Sequence, residues 1–163
     1  MRVERISVKE FVKECLEVKK NDAELNGIRL EDELDDPDAK ISGDRRLLRD
    51  AVSNLIDMAI RSSCPGCSVS IAYHSDTARD SIVVSNDGRG IPYEELRDIR
   101  DLFCRPFAYG IDEADELPPG LLGLSVVRDV ADLHGGRVGV RSLEGDGSSF
   151  SLHLPRRLAS IRS

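Results

Sequence analysis

The sequence predicts an α+β fold, a two-layer α/β sandwich whose mixed, mainly antiparallel sheet carries its helices on one face. Three observations predict it. CSVSIAYHS and RDSIVVSN alternate in polarity and are joined by the turn SDTARD, as two antiparallel strands would be. RVGVRSLEGDGSSFSLHLP closes as a second hairpin about Glu144 to Gly147, whose loop contains two glycines. Helical periodicities lie between these strands. No glycine-rich turns link parallel strands to helices, as a doubly wound nucleotide fold would require.

The elements follow in order. VKEFVKECLEVKK places Phe11, Cys15 and Val18 on one stripe and charges elsewhere, which predicts a surface helix. Gly27 breaks the chain before IRLEDEL, where Ile28, Leu30 and Leu34 suggest a short edge strand. DDPDAKISGD reads as a loop with a brief strand around Lys40 and Ile41. Asp44 then starts a helix running to about Ile60. Its apolar stripe is Leu48, Val52, Leu55 and Ala59; a second, polar stripe holds Asp50, Asn54, Asp57 and Arg61, with Met58 at its edge. After the two strands, Pro92 opens a short helix, PYEELRDI. DLFCRPF and an acidic stretch, AYGIDEADELPPG, lead to the helix LLGLSVVRDVADL, which ends at a glycine stop, His134-Gly135-Gly136.

The 163 residues suffice for a single domain, 1–163, with its own core. Tryptophan is absent and 40% of residues are hydrophobic, so Leu, Val and Ile should fill that core. A net charge of −7 argues against nucleic acid and against direct membrane contact. No run approaches the roughly 18 apolar residues of a membrane span, and no signal peptide opens the chain. A cytoplasmic domain is expected. Cys64-Pro-Gly-Cys67 has metal or redox spacing, but one pair gives only two zinc ligands. Cys15, Cys104 or His74 would have to complete such a site, and an ordinary turn closed by two small residues is the simpler reading.

Four features could converge on one ligand. Asn54 and Arg61 offer an amide and a cation from the polar stripe, beside Asp50 and Asp57; a solvated helix face is the plainer alternative. Asn86-Asp87-Gly88-Arg89-Gly90-Ile91-Pro92 ends a strand with two glycines that permit close backbone approach, or simply a tight turn. Gly120 and Gly123 precede a helix whose free N–H groups can hold phosphate. The segment from Phe107 to Leu121 is long and acidic enough to be a lid.

Together these features resemble the catalytic and ATP-binding domain of sensor histidine kinases, in the superfamily that includes gyrase, Hsp90 and MutL. ISGDRRLLRDAVSNLIDMAIRS is similar to the helix bearing the family's asparagine box, SIVVSNDGRGIP to its first glycine box and LFCRPF to its phenylalanine box. PPGLLGLSVVRDVADLHGG is similar to the second glycine box and following helix, and RISVKEFVKECLEVKKNDAELNGIRLEDEL to the entry helix and strand. The resemblance implies a Bergerat-type ATP-binding fold and ATP as cofactor. It implies nucleotide contacts from Asn54, Asp57, Met58, Arg61, Asn86, Gly88, Gly90, Ile91, Phe107, Gly120, Leu122, Gly123 and Leu124. It also implies that the chain is the C-terminal part of a longer protein. The partners implied are a separate histidine-containing dimerisation domain and a response regulator. His74, His134 and His153 lie in strands or at a helix end and read as structural or exposed rather than as phosphoacceptors.

Three departures from the family pattern occur together. Asn86 stands where an aspartate accepts from the adenine amino group. Met58 replaces the second asparagine of Asn-x-x-x-Asn, the usual magnesium ligand, leaving Asn54 as the one family metal position retained. Magnesium seeks oxygen, and a thioether is a poor substitute. Asp57 is adjacent but about 100° away around the helix. Pro119 and Leu121 replace two glycines of Gly-x-Gly-x-Gly-Leu, and the acidic segment carries Asp112, Glu113, Asp115 and Glu116. Asn54, rather than the glutamate of the hydrolases, favours the kinase branch, with Arg61 and Arg105 in further matching places. The sequence reading is therefore a pseudokinase-like ATP-binding domain with impaired magnesium handling. Its alternatives are a working domain that transfers the γ-phosphate to a histidine, and a nucleotide-independent regulatory module with apolar surface near Leu121, Leu122 and Phe107.

Overall fold

The computed structural model describes residues 1–104, 121–142 and 145–156. Its elements are β1 (Glu4–Ser7), α1 (Val8–Leu25), β2 (Arg29–Asp32), β3 (Lys40–Gly43), α2 (Arg45–Arg61), β4 (Ser68–Ser75) and β5 (Arg79–Asn86). They continue with α3 (Tyr93–Cys104), α4 (Leu122–Leu133), β6 (Arg137–Ser142) and β7 (Ser148–Pro155).

The main sheet runs in the order β2-β4-β5-β7-β6. Only the β2–β4 pair is parallel; the other three pairs are antiparallel. In-register pairing sets Ile71 beside Val84 and Val84 beside Phe150, so one face of the sheet is apolar. Ile82, Phe150, Leu152 and Leu154 on that face are buried beneath the helices. The predicted sandwich, with helices on one face, is the observed one.

Two details depart from the sequence reading. The brief strand around Lys40 belongs to a separate two-stranded sheet, because β3 pairs with β1 rather than with the main sheet. In α1, Val18 is 57% exposed and does not continue the stripe of Phe11 and Cys15. The buried row advances four residues from Cys15 to Lys19, whose Nζ reaches Asp57 on α2 at 2.9 Å.

Helix α2 is buried over more than the narrow stripe its periodicity suggests. Leu48, Val52, Leu55 and Ala59 are buried as expected, and Ala51, Ile56, Met58 and Ile60 join them. The reason is that α1, α4 and the sheet all pack on this one helix. Asp44 caps it, its Oδ1 accepting from Leu47 N at 3.1 Å. Helices α2 and α4 pack antiparallel: the end of α4 meets Asp44, while its first turn meets Asn54, about 15 Å farther along α2.

Candidate functional site

The C-terminal half of α2 lies between two cavities, and Arg61 lines both. The larger, about 830 Å³, is bounded by Met58, Arg61 and Ser62, the turn containing Cys64 and Cys67, and the loop Asp87–Pro92. The smaller, about 380 Å³, lies between the end of α1 and the first turn of α4, over Asn54, Asp57, Gly123 and Leu124. The sequence-predicted residues Met58, Arg61, Gly88, Gly90 and Ile91 therefore share one cavity. Asn54, Asp57, Arg61, Gly123 and Leu124 share the other.

Local backbone chemistry makes this arrangement. A Cβ on Gly88 would come within 2.8 Å of Ser62 O, so only glycine lets the loop close on the end of α2. Gly90 has φ 83°, a left-handed conformation that turns the chain toward α3. Ile91 N donates to Ser142 Oγ at 2.7 Å, which holds the loop against β6. A Cβ on Gly123 would meet Asn54 Oδ1 at 2.9 Å, so the first turn of α4 sits directly on that carboxamide. Asn54 Nδ2 donates back to Asp50 O at 3.0 Å, which leaves its Oδ1 turned toward α4.

Asn86 has a different setting. It lies on the apolar face at the end of β5 and is 8% exposed. Its Nδ2 donates to Ala59 O of α2 at 2.8 Å. Its Oδ1 accepts from Ser148 N at 2.9 Å, from Ser148 Oγ at 3.2 Å and from Gly88 N at 3.3 Å. Two of those donors are backbone N–H groups, so the amide has one possible orientation. An amide oxygen has two lone pairs, and three donors saturate it. Asn86 thus ties β5 to α2, to β7 and to the glycine loop, and it does not border the 830 Å³ cavity.

Asp87, which the sequence reading left without a role, fixes the other side of the loop: its Oδ1 accepts from Ser68 N at 2.8 Å. Lys19 is a second residue missed. Its ion pair with Asp57 occupies the carboxylate nearest to Asn54 along the helix. The signal available in sequence was Lys19's place four residues after Cys15.

Leu122 is 43% exposed at the start of α4, while Leu121 is buried. The apolar surface expected around Leu121 and Leu122 is therefore formed by Leu122 without Leu121. Phe107 and Gly120, with Arg105, Pro119 and the acidic segment, lie outside the described residues.

The donor set bears on what the cavities could hold. Met58 is buried, and its sulfur accepts from Arg61 Nη2 at 3.1 Å. Asn54 Oδ1 is then the one oxygen offered by the two asparagine-box positions, and Asp57 is held by Lys19. No cluster of three or more His, Cys, Asp or Glu side chains capable of holding a metal occurs among the described residues. The two asparagine-box positions thus offer magnesium, a hard ion that seeks oxygen, a single amide oxygen. A cavity of about 830 Å³ beside a second one, with the cationic Arg61 lining both, has room for a nucleotide with its phosphates.

Residues 43–158 match the model of the histidine kinase-, DNA gyrase B- and HSP90-like ATPases. The chain belongs to this family. It is a HATPase domain of the sensor-kinase type. It is 32% identical over 155 residues to the sensor protein DivL of Caulobacter vibrioides, covering 95% of this chain and 19% of that protein. The chain thus spans about a fifth of the length of that relative. The catalytic domain of histidine kinase ThkA superposes with TM-score 0.77 at 23% identity, over 96% of this chain and 98% of that one. ThkA in complex with the response regulator protein TrrA superposes with TM-score 0.73 at 21% identity, over 96% of this chain and 42% of that one. At these identities the solved structures speak to the fold. No helix among the described residues is long and apolar enough to cross a membrane.

The Asn86 network makes one prediction. Asn86→Asp removes the donor to Ala59 O and sets a carboxylate oxygen against that carbonyl. The variant is expected to lose about 1–2 kcal/mol of stability, read by urea denaturation at pH 7. A variant as stable as wild type would show that the amide is not the tie between β5 and α2.

Proposed function

We propose that this chain is the nucleotide-binding domain of a two-component sensor kinase, that it takes an ATP-type nucleotide, and that its handling of magnesium is impaired. The observation that carries the reading is Met58, buried at the place where the resemblance puts a magnesium ligand and engaged through its sulfur by Arg61. The neighbouring carboxylate is already engaged, Asp57 Oδ2 accepting from Lys19 Nζ at 2.9 Å, and that ion pair competes with a metal for it. At the base end the oxygen of Asn86 is saturated and has no lone pair left for an adenine amino group, so in this reading the base is held without that contact.

In this reading Arg61, placed between the cavities, supplies charge to the phosphates, and the glycine loop bounds the base. Residues 1–163 act as one domain of a longer cytoplasmic protein. Its partners are a dimerisation domain carrying the acceptor histidine and a response regulator. One observation favours a working kinase domain as the second reading: Asn54 keeps its oxygen directed at the first turn of α4.

Calorimetric titration of ATP, first in magnesium and then in EDTA, tests the proposal. Binding that changes by less than about threefold between the two is expected. Magnesium-dependent tightening of about tenfold or more would overturn the impairment and favour the working domain. No binding at millimolar ATP would overturn the nucleotide reading itself and leave a module that acts through protein contact.

A further inference from the structure

The turn between α2 and β4 places two thiols on the wall of the larger cavity. Cys64 and Cys67 are both half-buried and both border that space, opposite the glycine loop. Cys67 N donates to Cys64 O at 3.0 Å, and Gly66 has φ 94° behind Pro65. Proline followed by a left-handed glycine, closed by that hydrogen bond, is a type II turn. Such a turn holds its first and last Cα atoms within about 7 Å, and a disulfide spans roughly 4.4–6.8 Å between Cα atoms. The bridge therefore needs side-chain rotation and little backbone movement.

The turn is also fixed in place. Gly66 N donates to Gly27 O at 2.8 Å, and Pro65 packs so closely on Gly27 that an added Cβ would lie 3.3 Å from it. Ser63 Oγ donates to Ala59 O at 2.8 Å, tying the turn's first residues to the last turn of α2. The tip stands free: a Cβ on Gly66 would meet no atom within 4 Å. The pair is accessible, in contrast to Cys15, which is fully buried. Among the described residues no further His, Cys, Asp or Glu joins the pair as a metal cluster, which argues for redox chemistry over zinc.

We propose that Cys64 and Cys67 are a redox-sensitive dithiol that low-molecular-weight disulfides convert to an intra-turn disulfide at the cavity wall. One cysteine thiolate attacks a sulfur of the small disulfide; its S–S bond breaks, and one small thiolate leaves and takes up a proton. The second cysteine thiolate attacks the protein sulfur of the mixed disulfide and expels the second small thiolate, which is protonated in turn. Two electrons pass from the cysteine pair to the small disulfide, giving one protein disulfide and two small thiols. Because both cysteines line the cavity, a ligand seated there covers the turn, and the bridge alters the wall that the ligand meets. The coupling to nucleotide rests on the proposed function; the bridge itself does not.

The test uses the whole chain in a Cys104→Ser background, since Cys104 is exposed and would otherwise react with the same reagent. The protein is incubated with glutathione disulfide, quenched with iodoacetamide and analysed by peptide mass spectrometry. The expected product is a peptide with Cys64 and Cys67 bridged and unalkylated, while Cys67→Ser accumulates a stable glutathione adduct at Cys64. Cys104→Ser protein that retains glutathione adducts at Cys64 or Cys67, or keeps both thiols free, overturns the proposal. A non-hydrolysable ATP analogue at saturation is expected to slow bridging about tenfold. Bridging at an unchanged rate with the analogue bound would overturn the coupling to the cavity and leave the dithiol standing.

Discussion

Met58→Asn is expected to make ATP binding magnesium-dependent, with affinity in magnesium about tenfold above wild type, or ~1.4 kcal/mol. The substitution returns an oxygen ligand to a side chain that borders the 830 Å³ cavity, one turn along α2 from Asn54. It also removes the sulfur to which Arg61 Nη2 donates. The cost falls on folding. Met58 is buried, and an amide there loses about 1–3 kcal/mol unless a partner satisfies it. Met58→Ala separates the two effects, because it deletes the sulfur without adding oxygen and should leave binding indifferent to magnesium. The measurement is calorimetry with magnesium and with EDTA on both variants, after circular dichroism has shown them folded. A folded Met58→Asn protein with the wild-type magnesium response would remove Met58 as the cause of the impairment.

The fold was legible in the sequence because its strongest signals were periodic. The alternation of β4 and β5, the glycine-bearing loop of the β6–β7 hairpin and the apolar stripe of α2 each specify one element with little competition. What escaped was set by tertiary partners. Four residues of β1 carry no readable alternation and form a strand only because β3 supplies hydrogen bonds. Val18 and Lys19 are adjacent, and only the packing of α1 on α2 decides which of them turns inward.

The site was legible in part for the same reason. Spacing placed Asn54, Asp57 and Arg61 on one face of α2, and the glycines marked where backbone approaches backbone. Asn86 shows the limit of spacing. A residue two before a glycine at a strand end can face a ligand or face the core. The choice here depends on three donors, two of them on β7, 62 residues away in sequence. Sequence gives residue types at such a point; hydrogen-bond capacity is a property of the assembled neighbourhood.

His134→Ala is expected to be the most destabilising single change among those considered, by about 3 kcal/mol, with Tm lower by roughly 6–12 °C. The ring is fully buried where α4 ends. Its Nδ1 donates to Val130 O at 2.7 Å and its Nε2 accepts from Asp44 N at 2.9 Å, an assignment required because Asp44 N is itself a donor. The residue thereby locks the end of α4 to the start of α2, and a Cβ on Gly43 would lie only 3.0 Å from its ring. That lock fixes the register that sets Gly123 on Asn54 at the site. Burial, the largest influence, holds the imidazole below the ordinary histidine range, with the hydrogen bond to Val130 and the charge of Asp44 acting in the opposite direction. The neutral ring is the folded form, so its stabilisation is complete above the unfolded pKa of about 6.5 and is lost as pH falls below it toward the depressed folded value. His153 is depressed as well, by burial first and then by Arg79 and Arg137, and contributes with the same sign. Denaturant midpoints measured from pH 7.5 to 5 should therefore fall steeply for wild type and less steeply for His134→Ala. Equal slopes in the two proteins would mean that His134 does not titrate against folding, and a small loss of stability at pH 7.5 would mean that it is not the lock between the helices.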